Sequence, residues 1–309
     1  MKMSKMERVM AAVNGQEVDR VPVGFWYHFA LDNPSGKELA QAELDFVEKY
    51  DPDFIKVMHD LKLDLPEGMT VIENPEDWYK LTPLDPCEGN FAQQLKTLRY
   101  IRKGQKEDIC VIDTVFGPYA SANKLCGKKL MEHLRADPEA VKFGLRTIAV
   151  SLTEYASTWI ESGGDGIFFA LDGSQKTNMS MEEYAKIFIP LDHMVLDAAM
   201  KKGKFNVLHV HGTDISLEVP HHLPCHVINW SDRTAGISLS EGRKLTKKCI
   251  AGGINEVNIN SKTPDEVRAE GINAIEEAGT LKFILACGCA VPTDIPEANL
   301  HAIRRAAER

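Results

Sequence analysis

Eight short apolar runs recur along the chain: VPVGFW (21–26), DFIKVM (53–58), ICVIDTVF (109–116), DGIFFA (165–170), FNVLHV (205–210), HVINW (226–230), IAGGI (250–254) and KFILAC (282–287). Most are unbroken and aliphatic, the pattern of strands buried on both faces. Segments of helical character fall between most of them. GKELAQAELDFVEKY (36–50) places Leu39, Leu44, Phe46, Val47 and Tyr50 mostly on one helical face. Asp137-Pro138 offers a cap and then a proline at the first helical position, ahead of a periodic segment to Ser162. Ser180 to Glu183 reads as a capping box, and Pro190 predicts a kink soon after. Thr263-Pro264-Asp265-Glu266 combines both start signals. The interval from His59 to Asp108 exceeds one simple βα unit. It predicts a loop excursion over one end of the fold, plus a helix at FAQQLKTLRYIRKG (91–104).

Eight strands alternating with helices predict an α/β fold, a (β/α)8 TIM barrel formed as a single domain over residues 1–309. A doubly wound open sheet is the alternative, but neither a GxGxxG nor a Walker A motif supports it. In a barrel the active site lies at the C-terminal ends of the strands. The residues there are Trp26-Tyr27-His28, His59-Asp60, Gly117-Pro118-Tyr119, Leu171-Asp172, His209 to Asp214, Asn229 to Asp232, Asn255-Glu256 and Cys287 to Cys289.

Charge and cysteines narrow the function classes. The formal net charge is -9, and no long Lys/Arg-rich stretch is present to neutralise phosphates, so no nucleic acid partner is expected. Lys201-Lys202 and Lys247-Lys248 read as solvated helix ends. No apolar run approaches the ~20 residues that span a bilayer, so no membrane partner is expected. MKMSKMERVM has no apolar signal-peptide core, which predicts a cytoplasmic protein. Seven scattered cysteines, an odd number, argue against a disulfide framework; Cys110 and Cys249 read as core.

His209-Val210-His211 places two imidazoles on the same side of the fifth strand. Cys287 and Cys289 have the same spacing at the end of the eighth. Both ends open on one mouth of a closed barrel, and two imidazoles with one or two thiolates suit zinc. Three ligands leave a position for substrate; four close the site. The bland reading is hydrogen-bonded histidines and two small residues in a tight βα loop.

These residues lie in a chain that resembles the uroporphyrinogen decarboxylase superfamily over nearly its whole length. MERVMAAVNGQEVDRVPVGFW is similar to that family's N-terminal helix and first strand. FGPYASANKLCG is similar to the Gly-Pro segment after its third strand, and LKFILACGCAVPTDIPEANLHAIRRAA to its closing segment. The resemblance implies a (β/α)8 barrel. The decarboxylase branch carries an arginine-rich segment of the form RQAGRY for a polycarboxylate tetrapyrrole. Here that place reads GFWYHFALDNP, with no arginine between Arg20 and Arg99. The other branch, corrinoid-dependent methyltransferases, carries a His-x-Cys…Cys zinc site. That resemblance implies zinc ligation by His209 and Cys289, with His211 standing where the family has its first cysteine and Cys287 where it has a proline.

The expectation is therefore a zinc-dependent methyltransferase. Its partners are a small methylated substrate or a thiol, and a corrinoid-binding protein that carries cobalamin. Decarboxylation of a porphyrin or other aromatic acid is the alternative. Asp60 and Asp172 are the candidate catalytic carboxylates. Trp26, Tyr27, His28 and Tyr119 are the candidate substrate-binding residues, and His209, His211, Cys289 and Cys287 the candidate metal ligands.

Overall fold

A computed structural model describes residues 2–175 and 179–308. The strands are β1 (Val23–Gly24), β2 (Phe54–Val57), β3 (Cys110–Phe116), β4 (Gly166–Leu171), β5 (Val207–Val210), β6 (Val227–Trp230), β7 (Cys249–Ile254) and β8 (Phe283–Cys287). All ladders are parallel, and the order β1-β8-β7-β6-β5-β4-β3-β2 bends one sheet into a nearly closed barrel. The fold is the expected (β/α)8 barrel. Every strand lies inside the run predicted for it except β4, which ends one residue later, and β7, which starts one residue earlier. β1 keeps only two of its six residues, because Pro22 has no N–H to give to a ladder.

The helices are α1 (Lys5–Asn14), α2 (Gly36–Tyr50), α3 (Gly89–Gly104), α4 (Pro118–Leu125), α5 (Leu130–Ala136), α6 (Pro138–Glu161), α7 (Met181–Ile187), α8 (Ile189–Lys202), α9 (Leu239–Leu245), α10 (Pro264–Ala278) and α11 (Glu297–Ala306). The sequence signals act as local chemistry requires. Asp137 Oδ1 accepts from Ala140 N at 3.0 Å, and Thr263 and Glu266 form a reciprocal capping box. Ser180 accepts from Glu183 N, and the helical run breaks at Phe188, with Pro190 in the first turn of α8. Lys248 is a correction. It lies beyond α9, and its Nζ donates to the carbonyls of His221 and Leu223 instead of ending a solvated helix. No helix among the described residues is long and apolar enough to cross a membrane.

The β1/β2 seam has no ladder of its own. Asp53, immediately before β2, closes it. Its N–H donates to Val23 O at 2.8 Å, and its Oδ2 accepts from Val23 N at 2.7 Å. The same carboxylate, fully buried, receives Arg8 Nη1 at 2.6 Å and Arg20 Nη1 and Nη2 at 2.6 and 2.9 Å. Above this clamp the floor of the barrel is aromatic. Phe54 meets Phe205 edge-on, and Gly24 has no room for a side chain because a Cβ would stand 2.1 Å from the Phe54 ring.

Two predictions follow from this packing. Asp53→Asn removes the fully buried anion, leaving part-buried Arg20 without its carboxylate and Arg8 with Asp19 alone, so it is expected to cost about 3–5 kcal/mol. Urea unfolding measures it; a loss under about 1 kcal/mol, the scale of an exposed pair, would show that the clamp is dispensable. The second concerns pH. Burial pushes the Asp192 carboxyl up from 3.8 to about 8, although Tyr184 donates to it at 2.9 Å. Between these values the folded chain keeps a proton that the unfolded chain releases. The stabilisation is complete below the unfolded value and is lost as pH rises through the folded one, with a slope of up to about 1.4 kcal/mol per pH unit. Stability should therefore fall from pH 5 to 8, and less steeply in Asp192→Asn; parallel slopes in the two proteins would refute this.

Candidate active site

The strands' C-terminal ends surround a cavity of about 640 Å³. β5 delivers two histidines to it in different states. His209 lies within the strand and is 2% exposed; His211 lies just past it and is half exposed. Gly212 then turns the chain at φ 115°, a conformation that favours glycine. Cys289 arrives from the loop after β8. Gly288 allows that loop to lie flat, since a Cβ there would stand 2.4 Å from Ser231 Cα.

Hydrogen bonding fixes the state of His209. Asn229, its neighbour across the ladder, donates through Nδ2 to Ala251 O and Cys287 O. Its Oδ1 is therefore the acceptor for His209 Nδ1 at 2.6 Å, so Nδ1 carries the proton. In the neutral imidazole this leaves a lone pair on Nε2, which is buried and has no hydrogen-bond partner. Phe168 stacks on the same ring at 5.2 Å.

His211 is oriented by a carboxylate. Its Nδ1 lies 3.7 Å from Asp172 Oδ1, which also accepts from Gly173 N at 2.8 Å and Gln175 Nε2 at 2.5 Å. Asp172, and then Cys289, raise the His211 imidazole to about 10. Burial alone would raise the Cys289 thiol, but the imidazoles facing it, His209 first and then His211, bring it down to about 4 when they carry protons. The three side chains act on one another, with an imidazolium beside a thiolate.

The other candidates are divided by alternation along the chain. Trp26 and His28 line the cavity, whereas Tyr27 turns away against Phe29 and Phe46. His28 Nδ1 meets Asp60 Oδ1 at 2.7 Å on the rim. Tyr119 is buried against Phe188 and does not line the cavity. Cys287 is also kept out. Leu285, two residues earlier, packs toward Gly271 of α10, and alternation puts Cys287 on that same outer side. Burial there pushes its thiol well above the usual range.

The sequence reading passed over Lys56 and gave no role to two residues that it placed at strand ends, Asn229 and His59. Asn229 sets the His209 tautomer. His59 was noted only as a strand end; it lines the cavity with Nδ1 3.1 Å from Thr114 O and 3.3 Å from buried Asp113. Lys56 of β2 points into the barrel, 4.9 Å from the Phe168 ring centre and 5.6 Å from that of Trp26. Burial brings its ammonium down to about 8. The signal was a polar residue inside an otherwise apolar parallel strand, which is anomalous on either face.

The donors suit zinc in type: an unpartnered imidazole nitrogen, a second imidazole held by a carboxylate, and a thiolate. As placed, no three His, Cys, Asp or Glu side chains among the described residues converge to metal-binding geometry. Closure around an ion requires side-chain adjustment at His211 and Cys289.

Fold and site together define a (β/α)8 barrel with an imidazole–thiolate centre at its mouth. The chain belongs to the uroporphyrinogen decarboxylase (URO-D) family, whose model matches residues 35–309. Two relatives named methylcobamide:CoM methyltransferase MtbA, from Methanosarcina mazei and Methanosarcina acetivorans, are each 24% identical to it. These matches cover 74% and 75% of this chain and 67% of each relative. A solved methyltransferase from Methanosarcina mazei superposes with a TM-score of 0.84 over 99% of both chains, at 17% identity. A B12-independent methionine synthase from Shewanella sp. W3-18-1 superposes with 0.65 over 93% of this chain and 92% of its own, at 13% identity. At such identities the structural likeness bears on the fold alone.

The thiolate yields a prediction for the metal-free protein. At about pH 6, iodoacetamide should alkylate Cys289, because reactivity follows the thiolate fraction. His211→Ala should slow that reaction at least about tenfold, as a pKa rise of one unit or more requires. Peptide mass spectrometry reads it; equal labelling in the two proteins would refute the pairing.

Proposed function

We propose that this chain is a zinc-dependent methyltransferase that moves a methyl group between a small molecule and a corrinoid carried by a separate protein. The observation that carries the reading is the meeting of His209, with its free Nε2, His211 and Cys289 at one wall of the cavity at the barrel mouth. The methyltransferase names of the 24%-identical relatives support the reaction class. The decarboxylase alternative lacks comparable support. No arginine lines the cavity among the described residues, so a polycarboxylate there would find no bidentate guanidinium partner.

His209, His211 and Cys289 would hold the zinc. When bound, zinc supplies Lewis acidity at the substrate heteroatom, stabilising negative charge on an oxygen or sulfur as the methyl group leaves or the thiol is activated. The remaining work belongs to the chain. Asn229 keeps the proton on His209 Nδ1, so that Nε2 faces the site. Asp172 does the corresponding service for His211. Trp26 and Phe168 exclude water from the inner wall, and the His28–Asp60 pair offers polar contacts at the rim. Two imidazoles and one thiolate leave the site one unit more positive than one imidazole and two thiolates. That favours polarising an oxygen over activating a thiol.

The expected metal content is about one zinc per chain. It should be lost in His209→Ala/Cys289→Ala and kept in Cys287→Ala. Methyl transfer is followed by the cobalamin spectrum, with reduced cobalamin plus methoxylated aromatics, methylamines or methyl thioethers, and with methylcobalamin plus thiols. Full turnover by metal-free protein would end the zinc role. Absence of transfer in every combination would end the methyltransferase reading.

A further inference from the structure

We propose that Lys56 is the substrate-specificity residue of this cavity, and that the substrate is a monoanion: a flat, apolar body bearing one carboxylate, whose charge pairs with the Lys56 ammonium at the barrel floor. The inference rests on the functional reading above only for which end of the molecule reacts.

Lys56 is 6% exposed and sits on a strand whose neighbours are apolar. Its Nζ donates to one protein acceptor, the Met58 sulfur at 3.0 Å, which is a weak one. Among the described residues no carboxylate lies within ion-pairing distance of it. The nearest buried acid on α2, Glu43, is spent elsewhere. Its Oε1 accepts from Met58 N at 2.8 Å, and burial pushes it up to about 8, which leaves it largely neutral at pH 7. The chief opposite charge acting on Lys56 is the Cys289 thiolate, the group assigned above to the metal. A buried ammonium with no carboxylate partner of its own is costly, so a strand that keeps one inside a ligand-sized cavity is set up for an anion brought in from outside. The single positive charge at the floor matches a single negative one. A dianion would leave one of its charges unpaired there.

The surroundings define the rest of the ligand. The Phe168 ring is in contact range of both groups, 4.9 Å from Lys56 Nζ and 5.2 Å from the His209 ring. Trp26 meets Phe168 edge-on at 5.0 Å. Met58, Phe116, Ala120 and Ala170 complete an apolar wall. A ring lying along this wall, with its acid on Lys56, points its far substituent toward His209, His211 and Cys289. Three further lysines line the cavity, Lys62, Lys128 and Lys124, and all are exposed, so none is a buried charge like Lys56; Lys124 does not compete for the role. It is exposed at the mouth, over the Phe116 ring, with Asp60 and Asp172 as its nearest opposite charges.

The test is binding, measured by calorimetry without corrinoid, of two probes that match in size and differ in charge: 4-methoxybenzoate and 4-methoxybenzamide. The expected result is about tenfold tighter binding of the acid, the scale of one charge-assisted hydrogen bond. The preference should vanish in Lys56→Met and persist in Lys56→Arg and Lys124→Met. Equal binding of the two probes, a preference that survives Lys56→Met, loss of it in Lys124→Met, or no binding of either probe at millimolar concentration would each overturn the proposal. Methyl transfer is assayed separately. A Lys56-dependent preference without any transfer keeps the anchor and removes the methyltransferase reading. Transfer without the preference does the reverse.

Discussion

The Asp53 carboxylate holds the barrel shut. A parallel sheet of eight strands has two edges, and the pair that meets here, β1 and β2, shares no ladder. Asp53 substitutes for one by bonding Val23 through both its main chain and its side chain. Arg8 and Arg20 neutralise it from below. Everything at the opposite end depends on this closure. Trp26 follows β1, Lys56 lies on β2, Phe168 on β4, His209 on β5, and Cys289 follows β8. An open sheet would set β2 and β8 far apart, whereas closure brings their side chains to one cavity. The clamp sits at the strands' N-terminal ends and the chemistry at their C-terminal ends, so stability and function occupy opposite faces of the same strands.

Much of this was legible in the sequence, for identifiable reasons. Buried parallel strands must be continuous and apolar, and helix starts need polar caps, so the element order could be read from composition and spacing. The His209/His211 pair followed from the two-residue period of a strand. The same period was not applied to the aromatic candidates, and for the thiols it was carried past the end of the strand, where it no longer holds; there the reading and the structure part. Trp26 and His28 share a side that Tyr27 does not. Leu285 and Cys287 share the outer side of β8, and only after Gly288 does the chain bring Cys289 inward. Tyr119 follows a strand directly, yet the first turn of α4 carries it under Gly173 and against Phe188. Lys56 and Asn229 were concealed by their company. Each lies in a run that reads as apolar on average, and only position-by-position parity marks them as inward-facing polar groups.

The two histidines show how context divides identical residues. His209 is locked between Asn229 and Phe168, so its tautomer and ring plane are set before any ligand arrives. His211 is half exposed, and a carboxylate holds it as an imidazolium beside a thiolate. That ion pair is a ready exchange site. In the proposed reading His211 would hold the metal as a neutral imidazole, its proton released, with Asp172 orienting the ring and Cys289 contributing its thiolate.

Charge counting links this centre to the lysine across the cavity. Two neutral imidazoles and one thiolate around the proposed zinc carry one net positive charge, and Lys56 in its protonated form adds another. Both stand against Phe168, in a space with apolar walls where water screens poorly. Two like charges held in one such cavity repel, and the Cys289 thiolate, the chief opposite charge acting on Lys56, is in the proposed reading already spent on the metal. A bound carboxylate would remove the repulsion at the floor and leave the positive centre at the mouth, where the proposed reaction develops negative charge on the departing heteroatom. The same electrostatics that make the empty cavity costly therefore select which molecules enter it and which end of them faces the reacting centre.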